Sequence, residues 1–510
     1  MSVEAAKAAF HPQATRIHRS TSGWGIIVFR LRSTRWLVLA VWFVLGLGSA
    51  HAMDWREAVT PWDDPLKTRP PVLEQGARLP GDQIAQPCAS WTTYQQPSEG
   101  LTLVDVLDLG LCANPQVQGA WARIKVQAAA LGEVRASYLP TLSAGISRLN
   151  DRTSYPGSAL NSTSVEGTAK NMGLSWRLFD FGGRAANSAS ATALLDAAMA
   201  SHNAVLQKML ETLIGAFFDA QTARASWEAK QQGEALARST LKTAQRREGR
   251  GAGAQTDTLQ AITAVAKASL DTSRARGDYQ KTLAMLVYAM GLPSAAQLHL
   301  RPDVEDAHQI LAQDLQAWLE QTQQAHPAIV AAQRQLEAAR QKIIATQSEG
   351  LPSIDLGINE YQNGRPTQGL STIQTRERVA SMTLNIPLFE GFSRTYKVRG
   401  AQAQVEQSEA SLQDTTHQVL MNVVKTYADA RAALGNLDAS NLLLRSARNA
   451  LQSVQRKFDR GASDIVEMLG AQSALADALA QRIRCQAEWR SARLRLLASS
   501  GILGRSALDR

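Results

Sequence analysis

A catalytic or metal site needs His, Cys, Asp or Glu at spacings that one helix face or one loop can gather. The chain has 510 residues, among them eight histidines and three cysteines. The histidines are scattered, and no His-x-x-x-His pair stands beside a carboxylate. Neither a P-loop nor a dinucleotide-binding glycine fingerprint occurs. Asp180-Phe181-Gly182 matches a Mg²⁺-holding triplet of phosphoryl-transfer enzymes, but it closes a strand-like run and has no companion motif. The chain therefore reads as no enzyme, with no catalytic, metal or cofactor residues. The cysteines offer redox chemistry only. Cys88 and Cys112 bracket the start of the first helical stretch and are expected to pair if the chain is exported. The other reading is three free thiols. Cys485 is expected in a helix seam.

Two short runs carry more information than any titratable cluster. RGAGAQTDTLQA (250–261) and RGASDIVEMLGA (460–471) interrupt long helix-forming stretches at corresponding places. Gly251 and Gly253 are expected to reverse the chain, because glycine accepts the positive φ of a tight turn. Thr256 and Asp257 then fall in the first turn of the returning helix, where a carboxylate suits the helix dipole. Gly461, Ser463 and Asp464 repeat the arrangement. A simple helix kink is the alternative.

These elements belong to a doubled unit. ANPQVQGA (113–120) matches AHPAIVAA (325–332), YLPTLSAGI (138–146) matches GLPSIDLGI (350–358), and WRLFDFGGR (176–184) matches IPLFEGFSR (386–394). With the tip runs, four matches occur in the same order at offsets of 210 or 212. The first repeat (101–300) is expected to hold a helix over 103–138, a β-hairpin (141–181), a long helix (184–247), a tip turn (248–254) and a return helix (254–290). The second (301–510) holds a helix (312–349), a hairpin (353–389), a long helix (394–459), a tip turn (460–463) and a return helix (464–500). Stripes such as Leu206, Leu210, Leu213 and Phe217, or Leu412, Val419 and Val423, have coiled-coil spacing and read as buried seams.

Four strand-like runs show the period of two. Met172, Leu174, Trp176 and Leu178 alternate with polar neighbours, as do Ile354, Leu356 and Ile358, and Ala380, Met382, Leu384, Ile386 and Leu388. Leu142, Ala144 and Ile146 do so more weakly. Each run is about 9–11 residues, the length of a membrane-spanning strand. Trp176, Phe179, Tyr361 and Phe389 are expected at bilayer interfaces. The alternative is a small soluble sheet.

Residues 1–52 read as a secretory signal peptide: Arg30, Arg32 and Arg35 precede an apolar core (36–48) and Ala50-His51-Ala52. An uncleaved inner-membrane anchor is the other reading. Residues 53–100 hold seven prolines and read as an extended arm. The formal charge is +9, with six basic residues and one acidic residue in the leader, so the remainder is too weakly basic to suggest nucleic acid.

Length and strand count then dictate assembly. A 64-residue helix reaches roughly 96 Å, and the two shorter helices of a repeat, end to end, can cover it. Strands lie at one end of this pillar and the glycine turn at the other. Four strands cannot close a barrel, and open edges cannot face lipid. Copies must join, as a dimer of eight strands or a trimer of twelve.

From Ala113 to about Ser500 the chain resembles the TolC-type outer-membrane factors, on the Asn114-Pro115…Leu139-Pro140 spacing, LFDFGGR, IPLFEGF and the paired Arg-Gly-Ala tips. The resemblance implies a mainly α chain with a small membrane β part, built as a homotrimer. Twelve strands form a barrel in outer-membrane lipid, above an α-helical barrel in the periplasm. A periplasmic adaptor and an inner-membrane transporter, of ABC type in the type I secretion branch, would be partners. The family's periplasmic gate maps onto Thr256, Asp257 and Glu467. Phe458, Ser463 and Gly470 depart from it, standing where the family has tyrosine, arginine and aspartate. Phenylalanine cannot donate the hydroxyl hydrogen bond, so Arg250 or Arg460 is expected to substitute. The tips Arg250-Gly251 and Arg460-Gly461, with Leu259 and Leu469, are expected to meet the adaptor. The implied function is an export duct for a protein toxin. A drug-efflux duct is the alternative, and a periplasmic adaptor a second one, although adaptors have one hairpin between β-rich halves.

Overall fold

The computed structural model describes residues 64–69, 100–154, 156–157, 163–301, 313–365 and 374–504. The chain divides into Met1–Pro65 and Leu66–Arg510, and every element below lies in the second unit. The expected signal peptide (1–52), most of the proline-rich stretch and Cys88 lie outside the described residues. Where the arm is described, Arg135 donates to the carbonyls of Leu66 and Lys67 at 3.2 and 3.3 Å, holding it against the first repeat.

In chain order the elements are α1 (Leu103–Ala113), α2 (Pro115–Ala136), β1 (Thr141–Thr153), β2 (Thr163–Phe179), α3 (Gly183–Glu248) and α4 (Gln255–Ala289). The second repeat gives α5 (Leu315–Ala325), α6 (Pro327–Ser348), β3 (Ser353–Gln362), β4 (Arg376–Asn385), α7 (Ser393–Asp459) and α8 (Ile465–Ser499). The single opening helix expected in each repeat is in fact two. Pro115 and Pro327 sit at helix N1, where their missing N–H costs nothing, and they force Asn114 and His326 into extended backbone. The Asn114 side chain accepts from the Gln116 N–H at 2.8 Å, and His326 Nδ1 from the Ala328 N–H at 3.2 Å. Each joint packs a glycine that ends the opposing return helix. A Cβ on Gly291 would meet Asn114 Cα at 2.9 Å, and one on Gly501 would meet Pro327 Cδ at 2.8 Å; both glycines also have positive φ.

The long helices α3 and α7 carry the packing. At the waist Leu206, Leu210, Leu213 and Phe217 of α3 are fully buried against α1, the end of α4 and the end of α8. Val423, Ala430 and Leu437 of α7 pack with Trp318, Cys485 and Trp489. Cys485 is a buried free thiol in that seam, and Cys112 is disulfide-bonded. Leu412 and Val419, higher on α7, are only partly covered within the chain.

The four strands form one antiparallel sheet in the order β1-β2-β3-β4. The first hairpin is longer than expected, with strands of 13 and 17 residues. Most of its added residues are polar; Val165 and the buried Ala169 are the apolar ones. β4 ends at Asn385, so Ile386 and Leu388 leave the strand, because Pro387 cannot extend the ladder. Leu142, Leu174, Ile358 and Ala380 lie in one cross-strand row, with Trp176, Leu356 and Met382 in another, and together they make one continuous apolar face. The opposite face is polar and carries Arg177–Asp355 at 2.9 Å. Tyr361 shares that polar face, opposite Asn171, and so does not mark a bilayer interface. Trp176, Phe179 and Phe389 do end the apolar face, where Phe392 stacks edge-on with Phe389 at 5.3 Å. Among the described residues no helix is long and apolar enough to cross a membrane.

Candidate functional site

The tips of the two helical hairpins meet at the end of the pillar remote from the sheet. Both turns follow one hydrogen-bond scheme. The Ala252 N–H donates to the Arg247 carbonyl at 2.9 Å and that of Gly251 to Glu248 at 2.9 Å. In the second repeat Ala462 donates to Lys457 at 2.9 Å and Gly461 to Phe458 at 3.0 Å. This is the Schellman termination, which places its glycine at positive φ; Gly251 has φ +69° and Gly461 +76°. Gly253 is needed for a different reason than expected. Its φ is not positive, but a Cβ there would lie 3.0 Å from Arg247 Cβ and 3.2 Å from Glu248 N.

The returning helices start unequally. Asp464 caps α8, its carboxylate accepting from the Glu467 N–H at 2.7 Å, and the Ser463 hydroxyl donates to the Glu467 carboxylate. Ala254 precedes α4 without a side-chain cap, and Asp257 in the first turn is the only acid there. The second tip is therefore the more firmly closed of the two turns.

Between the tips, Ala244 and Ala261 of the first hairpin pack on Phe458, Ile465 and Met468 of the second. Phe458 is 5 % exposed. Arg247, in the last turn of α3, donates to the Phe458 carbonyl at 2.8 Å. Its guanidinium carbon lies 4.2 Å from the centroid of the Phe458 ring. One cation thus adds a charged donor to a carbonyl that already accepts from Gly461, sits at the negative end of the α7 dipole and covers an aromatic face. About one turn above, Gln472 Nε2 donates to Thr240 Oγ1 at 2.9 Å, both side chains buried, which ties α8 to α3 a second time.

The residues expected at the gate and tips are all at this end, but they are not joined to one another as a latch within the chain. Thr256 is exposed and Asp257 half-buried, and among the described residues neither hydrogen-bonds to the second hairpin. Glu467 is held by its own turn. Arg250 and Arg460 are exposed and without a charged partner among the described residues, so neither takes the place of the lost hydroxyl bond. Leu259 is 56 % exposed, while Leu469 packs on the tip cluster. Sequence reasoning missed Arg247. The available signal was the Arg246-Arg247 pair in the last turn of α3.

At the waist, a cleft of about 850 Å³ between the two hairpins is lined by Asp219, Asp271, Asp429, Lys230, Arg274 and Arg495 among others. Burial pushes the Asp219 carboxyl above its usual range, and Arg495 partly opposes this. Signs are mixed, and among the described residues no cluster could hold a metal ion. The cleft is open and lined by charges of both signs.

Comparison with known proteins fits this geometry. Residues 106–292 and 318–502 each match the family described as "Outer membrane efflux protein". Protein CyaE of Bordetella pertussis is 32 % identical over 94 % of this chain and 97 % of its own. Alkaline protease secretion protein AprF of Pseudomonas aeruginosa is 22 % identical over 80 % of this chain and 86 % of its own. The outer membrane protein VceC of Vibrio cholerae has the same fold, with a TM-score of 0.65 over 78 % of this chain and 96 % of its own, at 18 % identity. The chain belongs to the outer membrane efflux protein family, the TolC-type outer-membrane factors, trimeric channels of the outer membrane that work with a periplasmic adaptor and an inner-membrane transporter.

Proposed function

We propose that this channel is the exit duct of a type I secretion system, passing a protein cargo delivered by an ABC-type transporter through the adaptor. The observation that carries this reading is the likeness to CyaE along nearly the whole of both chains. AprF, a secretion protein by name, supports it. A drug-efflux duct is the second reading, favoured by the family's description.

In this reading the tips are the periplasmic gate. Arg247 on Phe458 holds the two hairpins of a protomer together. Thr256, Asp257, Ser463 and Glu467 form the polar lip around it. Arg250, Gly251, Arg460 and Gly461 present the turns to the adaptor, with Leu259 as an exposed apolar contact and Leu469 behind it. The disulfide at Cys112 is assigned to Cys88, fixing the arm to the first repeat.

Production in a host lacking its own channels of this kind, together with an ABC-type transporter, its adaptor and their protein cargo, tests the proposal. Protein cargo is expected in the medium, without gain of resistance to small toxic compounds. Resistance without protein export would favour the efflux reading. The triple variant Arg250→Glu, Arg460→Glu, Glu467→Lys is expected to abolish export while leaving the trimer intact. Undiminished export would remove the docking and gate roles together.

A further inference from the structure

The outward face of the barrel does not end where its apolar residues end. On β1 the outward series Leu142, Ala144, Ile146 continues as Arg148, Asn150 and Arg152. On β2, Lys170 continues beyond Met172, opposite Ile146. On β4 the series Leu384, Met382, Ala380 continues as Arg378 and Arg376, opposite Glu360 and Gln362. These cations are all exposed. The change from apolar to basic comes within one residue pair on each of these three strands. It falls at the end of the sheet remote from the helices, and so on the outer-leaflet side of the membrane.

Carboxylates do not balance them. Glu360 bridges both Arg376 and Arg378, and Glu166 accepts from Asn150 at 2.9 Å. Arg148, Arg152 and Lys170 have no ion-pair partner among the described residues. By contrast, Arg365 and Glu377, on the loop and the polar face, pair with each other.

Assembly concentrates the excess. β1 and β4 are the two free edges of the sheet, so closing the barrel sets β4 of one copy beside β1 of the next. Arg376 and Arg378 then share the outward face of each seam with Arg148 and Arg152 of the neighbouring copy. Lys170 stands one strand further in. Like charges gathered on adjacent strands are destabilising unless anions lie between them. The charges sit at the headgroup level of the leaflet that the apolar band defines.

We infer that each protomer seam is a binding site for the phosphate groups of an outer-leaflet lipid, held by Arg376 and Arg378 of one copy and by Arg148 and Arg152 of the next. Arginine suits this role because its planar fork takes phosphate oxygens in pairs. The bound lipid bridges two copies and stabilises the trimer. The inference rests on the barrel and its seams and not on the nature of the cargo.

The test uses purified full-length trimer in detergent, first shown to conduct ions in a planar bilayer. Bisphosphorylated lipid A, the same lipid with its phosphates removed, or inorganic phosphate is added, and the temperature at which the trimer dissociates is read on gels. Only bisphosphorylated lipid A is expected to raise it. The shift is expected to disappear in Arg148→Gln, Arg152→Gln, Arg376→Gln, Arg378→Gln. An equal shift with the dephosphorylated lipid on the wild-type trimer overturns the inference, even if the variant does not assemble. So does an undiminished shift in a variant that assembles. A shift with inorganic phosphate alone would mean an anion site rather than a lipid site, and would also overturn it.

Discussion

Arg247 does work that no residue of the expected latch does. It gives the Phe458 carbonyl a charged donor and covers the Phe458 ring. The two contacts together are worth about 2 kcal/mol in each copy, about thirtyfold in the balance between joined and parted tips. Arg247→Leu is therefore expected to raise the conductance of the reconstituted trimer, and Phe458→Tyr to leave it low, since the ring and carbonyl remain. Single-channel recording checks both, and an unchanged conductance in Arg247→Leu would contradict the role. His326 makes a second residue-scale prediction. Burial pushes its imidazole down to about 4, so the neutral ring keeps Nδ1 free to cap α6. An unfolded chain takes up that proton near pH 6.5 and the folded one only near 4. Its contribution to stability is thus complete above pH 6.5 and is lost progressively as pH falls through that interval. His326→Asn keeps a cap acceptor without the titration. It should flatten the loss of thermal stability between pH 7 and 5, measured by circular dichroism.

The joints between helices are where elements depend on single atoms. Gly291 and Gly501 end the return helices and pack on the joints before Pro115 and Pro327. Positive φ and the close contact make Gly291→Ala or Gly501→Ala cost about 1–3 kcal/mol, seen as a lower unfolding midpoint. Gly119→Ala, with no neighbour within 4 Å of the added methyl and a helical backbone, should be neutral or slightly stabilising. An equal loss in all three would refute the joint. At this scale much was legible before any coordinates. The two-residue period of Met172, Leu174 and Trp176 marked a strand because one face meets lipid. The Arg-Gly-Ala runs marked turns because a Schellman end needs glycine. The break before Pro115 was misread because proline is as acceptable at N1 as it is disruptive further in, and local sequence does not say which applies. The extra length of β1 and β2 was hidden because Val165 and Ala169 are the only apolar residues of the added β2 stretch, too few to show a period of two. The contact of Arg247 with Phe458 joins residues 211 positions apart and has no local pattern to announce it.

The whole molecule follows from what one chain leaves open. Its sheet has two free edges, and α7 exposes Met421 at 70 % and Leu442 at 61 % along a helix of 67 residues. Neither state suits a solitary chain, and a ring of copies removes both by placing edge against edge and hairpin against hairpin. The duplication makes this economical, because two similar hairpins per chain let three copies approximate a sixfold wall. Native mass spectrometry of the detergent-extracted protein, followed by planar-bilayer recording of the same particles, tests this most directly. The account predicts a mass of three chains and a pore whose conductance rises on Arg247→Leu. A folded, water-soluble monomer, or a trimer that stays silent even with that substitution, would contradict it.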